Sequence, residues 1–259
     1  PSLDIDWYVA QDSSGSTVPW FVGYTDFYNR LFVTDNAGGA FVAGVFGYGS
    51  STQSQVSLGG TAYDTYPQQI LMARVSSSGS FSWSKEIGVN PGYDNGAGSN
   101  GATTPLALAE DGSGGVWLVG QQGTDIPRLG LGSYCLSTYV PSGTCGSWST
   151  STHPNGDCPF ECGGSTSGTI GYNFIARIDA SGNVVYATSL GGPESNKLES
   201  AQAASDSSGN LFVVGRSSQS GATYYAGSHS VTTSSYTNNV LFKLDRKSTR
   251  LNSSHTVIS

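Results

Sequence analysis

The residue types that most often carry chemistry are few and unevenly placed. All four cysteines, Cys135, Cys145, Cys158 and Cys162, fall inside one Gly/Ser/Pro-rich stretch, residues 121–172. An even number of cysteines in a stretch that can bury little apolar surface predicts two disulfides, whose cross-links would lower the entropy of the unfolded loop. The spacing leaves the pairing open. A zinc site using His153 is the rival reading, but the cysteines lack the paired two-residue knuckles of a structural zinc site. Two disulfides in turn predict an oxidising compartment, and so an extracellular or cell-surface protein.

Catalytic patterns are thin. The chain has three histidines, His153, His229 and His255, and no G-x-S-x-G elbow. Gly96 to Gly101 matches G-x-G-x-x-G, yet it follows no strand signal and opens no helix, which makes it loop composition. Asp94, Asn95 and Asn100 in that loop could offer oxygens to calcium, but their spacing fits no EF-hand loop. Glu110 could act as an acid, although no second carboxylate recurs at a defined distance from it. The sequence therefore predicts no catalytic, cofactor-binding or metal-binding residue.

Composition narrows the classes further. The 259 residues carry 11 Lys plus Arg against 18 Asp plus Glu, a net charge of −7. Only 11% of residues are charged, 11% are aromatic, and 36 are glycine. So acidic a chain is poorly suited to neutralising phosphates, which argues against nucleic-acid binding. No apolar run is long enough to span a membrane as a helix. The glycines lack the three-residue period of collagen, and the helix-forming residues of a bundle are scarce. An all-β protein is what this composition predicts.

An internal repeat positions whatever function there is. Asp35 to Gly44 (DNAGGAFVAG), Asp111 to Gly120 (DGSGGVWLVG) and Asp206 to Gly215 (DSSGNLFVVG) share a tight corner followed by a short apolar strand. Asp35, Asp111 and Asp206 can cap the corner by accepting backbone N–H bonds two residues on, and Gly38, Gly114 and Gly209 can take the positive φ that a Cβ disfavours. A second pattern alternates with the first, as Leu71 to Gly79 (LMARVSSSG) and Phe174 to Gly182 (FIARIDASG), each followed by an aromatic, Trp83 or Tyr186. Period-two alternation predicts four strands per unit. The first are 31–34, 106–109 and 201–205; the second 40–46, 116–120 and 211–215; the third 70–75, 174–178 and 240–244; the fourth 81–87 and 184–190. Four short strands repeated in register predict propeller blades, about three of them, too few for a closed ring of about four to eight. The expected division is a half blade at 1–23, a blade at 24–88, a blade at 106–191 carrying the insertion 121–172, and an incomplete blade at 198–244. Arg74, Arg177 and Lys243 recur at one place in the third strand, which suggests pairing with a carboxylate of a neighbouring blade. Tyr134, Tyr139, Trp148, Tyr224, Tyr225 and Tyr236 are expected in loops, where aromatic faces can stack on sugars or bury into partners.

The run from Phe174 to Asp245, with FIARIDASGNVVYATSLGG, AQAASDSSGNLFVVG and NVLFKLD, resembles the bacterial β-propeller repeats known as SBBP repeats. LMARVSSSGSFSWSKEIG is similar to the variant common in secreted proteins of myxobacteria and related bacteria. The resemblance covers most of residues 7–244 and departs from the pattern at the cysteine stretch. It implies a partial β-propeller of about three four-stranded antiparallel blades, acting as a non-catalytic extracellular scaffold that binds protein or glycan partners through its loops. A fragment of a propeller enzyme, of polysaccharide lyase, glycosidase or quinoprotein type, is the alternative. Finally, residues 245–259 (DRKSTRLNSSHTVIS) read as one translated frame of a common short-read sequencing adapter, so they are expected to be a non-native tail. Without its three basic residues and one acid the net charge would move from −7 to −9.

Overall fold

The computed structural model describes residues 31–46, 55–58, 61–64, 69–87, 103–121, 128–131, 134–137, 146–147, 160–161, 173–191, 198–217, 221, 223–226, 229–234 and 239–245. These form strands and their connections, with no helix among the described residues. The strands are β1 (Leu31–Thr34), β2 (Ala40–Phe46), β3 (Gln55–Leu58), β4 (Thr61–Asp64), β5 (Gln69–Val75), β6 (Phe81–Ile87) and β7 (Thr104–Glu110). There follow β8 (Val116–Gln121), β9 (Arg128–Leu131), β10 (Tyr134–Ser137), β11 (Gly146–Ser147), β12 (Phe160–Glu161) and β13 (Asn173–Ile178). The last are β14 (Val184–Gly191), β15 (Leu198–Ser205), β16 (Leu211–Ser217), β17 (Thr223–Ala226), β18 (His229–Thr232) and β19 (Asn239–Leu244).

Three antiparallel sheets dominate. The first runs β1-β2-β5-β6, the second β7-β8-β13-β14 and on to β17-β18, and the third β15-β16-β19. Each starts from the strand that precedes an aspartate corner and proceeds as a meander. No sheet closes on itself among the described residues. The registers superimpose: Phe32↔Val42 in the first sheet corresponds to Leu108↔Leu118 in the second and Ala203↔Val213 in the third. Even the irregularities recur, with a register shift after Arg74 in the first sheet and after Arg177 in the second. Pro105 lies in β7, the edge strand of its sheet, where a missing N–H interrupts least of the ladder.

Alternating side chains divide the interior into two layers of core. Phe41, Ala43, Ile70 and Met72 of the first sheet meet Leu108, Leu118, Phe174 and Ala176 of the second. The opposite residues of the second sheet, among them Trp117, Val119 and Ile175, meet Leu211, Val213, Val240 and Phe242 of the third. The second sheet is thus covered on both faces, which is why β8 reads VWLVG without polar alternation. Along one side of the stack, β7 lies against both β1 and β15. Small residues there, Ala107 and Ala109 in β7 with Ala201 and Ala203 in β15, let neighbouring sheets approach closely.

One pairing crosses the expected segments, and one expectation needs correction. The β17–β18 hairpin, which falls within 198–244, pairs with the edge of β14 in the second sheet, through Leu190↔Ala226 and Gly191↔Tyr225. The second sheet therefore has six strands, because β14 offers an open ladder that the hairpin completes. Several expected loops also hold strands. Tyr134 lies in β10, and Tyr224 and Tyr225 lie in β17. Tyr224 is fully buried in the core between the second and third sheets, so it presents no exposed aromatic face. Residues 1–23, and the tail beyond Asp245, lie outside the described residues.

Candidate functional site

The aspartate corners are the places where charge, burial and backbone geometry converge. Asp35 and Asp111 are buried at the β1–β2 and β7–β8 corners. A buried carboxylate must have its lone pairs taken. Oδ1 of Asp35 accepts the N–H groups of Ala37 at 2.9 Å and Gly39 at 2.8 Å. Oδ1 of Asp111 likewise accepts those of Ser113 and Gly115, both at 2.8 Å. The other oxygen faces across the sheet. Arg74 donates to Asp35 Oδ2 through Nε at 3.1 Å and Nη2 at 2.9 Å, and Arg177 Nε donates to Asp111 Oδ2 at 2.8 Å. Each guanidinium also lies over the ring that follows the corner, Arg74 at 5.4 Å from Phe41 and Arg177 at 5.8 Å from Trp117.

These arginines therefore pair with the corner of their own sheet, not with a carboxylate of a neighbouring one. The reason is register. Arg74 stands opposite Phe41, one row from Ala40, the residue that pairs with Thr34 to close the β1–β2 hairpin, so its side chain reaches over β2 to the corner. What Arg74 does send to the next sheet is Nη1, which donates to Ala180 O at 3.2 Å.

The third corner uses the same aspartate and a different partner. Asp206 Oδ1 accepts the N–H groups of Ser208 and Asn210, and its Oδ2 accepts Asn210 Nδ2 at 2.8 Å. Asp179, between β13 and β14, repeats this with Ser181 and Asn183. The two designs follow from local sequence. In DNAGG and DGSGG the residue after Asp takes positive φ, 56° at Asn36 and 72° at Gly112, and so does the fourth, 85° at Gly38 and 80° at Gly114. A Cβ on Gly39 or Gly115 would sit 2.8 or 2.7 Å from the aspartate Oδ2 and closer still to a backbone carbonyl. At these two corners a side chain at the fifth position would collide first with the carbonyl of Val75 or Ile178 and then with the aspartate, so the position is glycine. In DSSGN and DASGN only the fourth residue, Gly209 at 79° or Gly182 at 82°, is left-handed. There the fifth residue's own amide replaces the arginine. Lys243, at the arginine position of the third sheet, stacks over Phe212 with Nζ 5.5 Å from the ring centre.

The corners also bind sheet to sheet. Trp83 Nε1 donates to Ala180 O at 2.9 Å, and Trp117 Nε1 donates to Gly209 O at 3.2 Å, so an indole of one sheet caps a corner of the next. Lys85 Nζ reaches Asn183 Oδ1 at 3.2 Å. Deeper in, buried Asn173 accepts from Leu198 N at 2.8 Å and donates to Leu198 O at 3.3 Å, joining β13 to the start of β15. Thr103 takes the equivalent place between the first and second sheets by accepting from Ile70 N at 3.2 Å.

The remaining candidate residues lie apart from the corners. Glu110 is half-buried at the end of β7. Cys135 lies in β10, while Cys145, Cys158 and Cys162 fall outside the described residues, as do His153, Asp94, Asn95 and Asn100. Tyr139, Trp148 and Tyr236 fall outside them as well, and His229 opens β18. No cluster of three or more metal-ligating side chains is present among the described residues. No helix among them is long and apolar enough to cross a membrane. Sequence reasoning does not single out Asp179, Asn183 and Asn210, although the string DASGN repeats DSSGN almost letter for letter.

Burial alone would raise the carboxyl pKa of Asp35 and Asp111. At Asp111 the Ser113 hydroxyl, and at both the N–H donors and the facing guanidinium, more than offset it and hold both below the ordinary 3.8. A depressed carboxylate contributes stability that is whole above the unfolded pKa and is lost as pH falls through the folded one. The urea midpoint is therefore expected to stay level from neutrality to about pH 5 and to fall below about pH 4. Asp111→Asn should lower the midpoint at neutral pH and make the acid slope shallower; an unchanged slope would contradict the assignment. An exchange of corners gives a second test. Asn210→Gly alone should lower the melting temperature, and Asn210→Gly with Lys243→Arg should recover most of the loss by restoring the other design. Equal melts for the single and double variants would oppose it.

No family model matches this chain, and no curated protein sequence matches it.

Proposed function

We propose that the three sheets are successive blades of a partial β-propeller of the SBBP-repeat kind, and that the chain serves as a non-catalytic extracellular or cell-surface scaffold. Its partners are proteins or glycans held by the connections between strands. The blade reading is supported by the common meander order, the superimposable registers, and the position of β7 between β1 and β15. Stacked sheets related in this way turn progressively, because each carries the same twist.

One observation carries the non-catalytic reading. The buried carboxylates that could do acid–base work, Asp35 and Asp111, have both oxygens engaged by the corner and its arginine. A general acid or base needs an oxygen turned toward a substrate. Asp179 and Asp206 are committed in the same way through Asn183 and Asn210. The inner strands β7 and β15 contribute mainly Ala, Leu and Ser, which suits close sheet packing and offers no convergent set of reactive groups.

The test exposes the purified chain to immobilised and soluble polysaccharides. The expected result is retention on a subset of glycans, or of protein ligands, with no new reducing ends and no unsaturated sugar products. Product formation that grows with protein concentration would overturn the scaffold reading in favour of an enzyme. The extracellular part has its own readout: the four cysteines should be silent to a thiol reagent in the secreted, denatured protein and react only after reduction. Four reactive thiols beforehand would remove the support for an oxidising compartment.

A further inference from the structure

Along the chain the β17–β18 hairpin belongs to the third sheet, and in the fold it belongs to the second. It follows β16 and precedes β19, which are neighbours in the third sheet, yet β17 pairs with β14. The hairpin is a finished unit in itself. Its two strands form four pairs, from Thr223↔Thr232 to Ala226↔His229. The ladder continues beyond them, because the Gly221 N–H donates to Thr233 O at 2.8 Å, and Thr233 is buried. On the exposed side the Thr223 and Thr232 hydroxyls share a hydrogen bond of 2.9 Å.

Its hold on the second sheet is short in backbone and deep in side chain. Among the described residues two pairs join β17 to β14, against six between β13 and β14. Tyr224, beside them, is fully buried in the core that the second and third sheets share, together with Leu190 of β14, Leu198 of β15 and Phe242 of β19. Val231, opposite Tyr224 in the hairpin, is half-buried against the same core. Burying a ring of this size outweighs what so short a ladder adds, so Tyr224 is the main fastening. The hairpin sits beside the crossing point of the chain. β14 ends at Gly191 and β15 begins at Leu198, whose N–H and carbonyl are both held by Asn173 of β13. The chain thus crosses this seam forward between β14 and β15, and back again through the hairpin.

We infer that the β17–β18 hairpin is a strap, pinned by Tyr224, that makes the second and third sheets open as one cooperative unit. Parting the two sheets exposes Tyr224 and strips β17 from β14, so neither sheet loosens without the cost of both. Packed repeats otherwise open one at a time, each with its own free energy. The strap removes that independence at this seam. Withdrawal of Tyr224 is the step that restores it, freeing the β14 edge at Leu190 and Gly191 and letting the third sheet open alone.

The experiment is native-state hydrogen exchange on the full chain, comparing amides of β8 in the second sheet with amides of β16 in the third. In the wild type both sets are expected to exchange through one opening, with equal protection and an equal response to urea. Tyr224→Ala should split them, with β16 losing about a hundredfold or more of protection relative to β8. Tyr224→Phe keeps the ring and should keep the two sets together. If Tyr224→Ala does not fold, Val231→Ala, at a half-buried position, should give the same split at about tenfold. Separate openings of β8 and β16 in the wild type would overturn the proposal. So would a Tyr224→Ala variant in which β17 and β18 alone lose protection, since the hairpin would then fasten nothing but itself. Equal losses in β8 and β16 would also overturn it, by making Tyr224 an ordinary core residue.

Discussion

A carboxylate buried at a hairpin corner is the constraint on which the rest of this structure depends. Asp111 is inaccessible to water, so every hydrogen bond it gave up on folding must be replaced inside the protein. Two backbone N–H groups replace one set, and they can do so only if the chain turns within the five residues from Asp111 to Gly115. Arg177 replaces the other, and it can do so only from the third strand at one register. The corner thereby fixes turn geometry, strand order and register with a single group. Asp35 and Arg74 repeat the arrangement in the first sheet.

From that fixed corner the packing follows. With register set, odd and even residues of β8 go to different sides, Leu118 toward the first sheet and Trp117 and Val119 toward the third. The indole of Trp117 then reaches the next corner at Gly209, as Trp83 reaches Ala180. The Asp179 and Asp206 corners are thus held from within by their own aspartate and from outside by a tryptophan of the preceding sheet.

Much of this was legible in the residues themselves. The bounds of Leu31–Thr34, Ala40–Phe46 and Phe81–Ile87 could be read from alternation between glycine-rich corners, because apolar residues there are dense and the corners carry a specific aspartate–glycine signature. The hairpins at Gln55–Asp64, Arg128–Ser137 and Thr223–Thr232 were not legible. Their strands are short and rich in Ser, Thr, Gly and Tyr, a composition equally typical of loops, and they are stabilised by pairing that sequence does not reveal. Recurrence alone marked Arg74, Arg177 and Lys243 as equivalent, but the partner depends on which strand lies beside them and how far a side chain reaches. That is a tertiary fact. The distinction between Gly and Asn at the fifth corner position was visible in the letters, yet its meaning needed the close approach of the Val75 carbonyl and of Asp35 Oδ2 to the place a Cβ would take at Gly39.

The central claim, that the carboxylate and the guanidinium act as one unit at the corner, is tested most directly by a double-mutant cycle on Asp111 and Arg177. Urea unfolding of Asp111→Asn, Arg177→Gln and the double variant gives the coupling between them at neutral pH. Each single change is expected to cost about 2 to 4 kcal/mol and the double clearly less than their sum, with a coupling of about 1.5 kcal/mol or more. Additive losses, with a coupling below about 0.5 kcal/mol, would show that the pair is incidental and that something other than the corner sets the sheet.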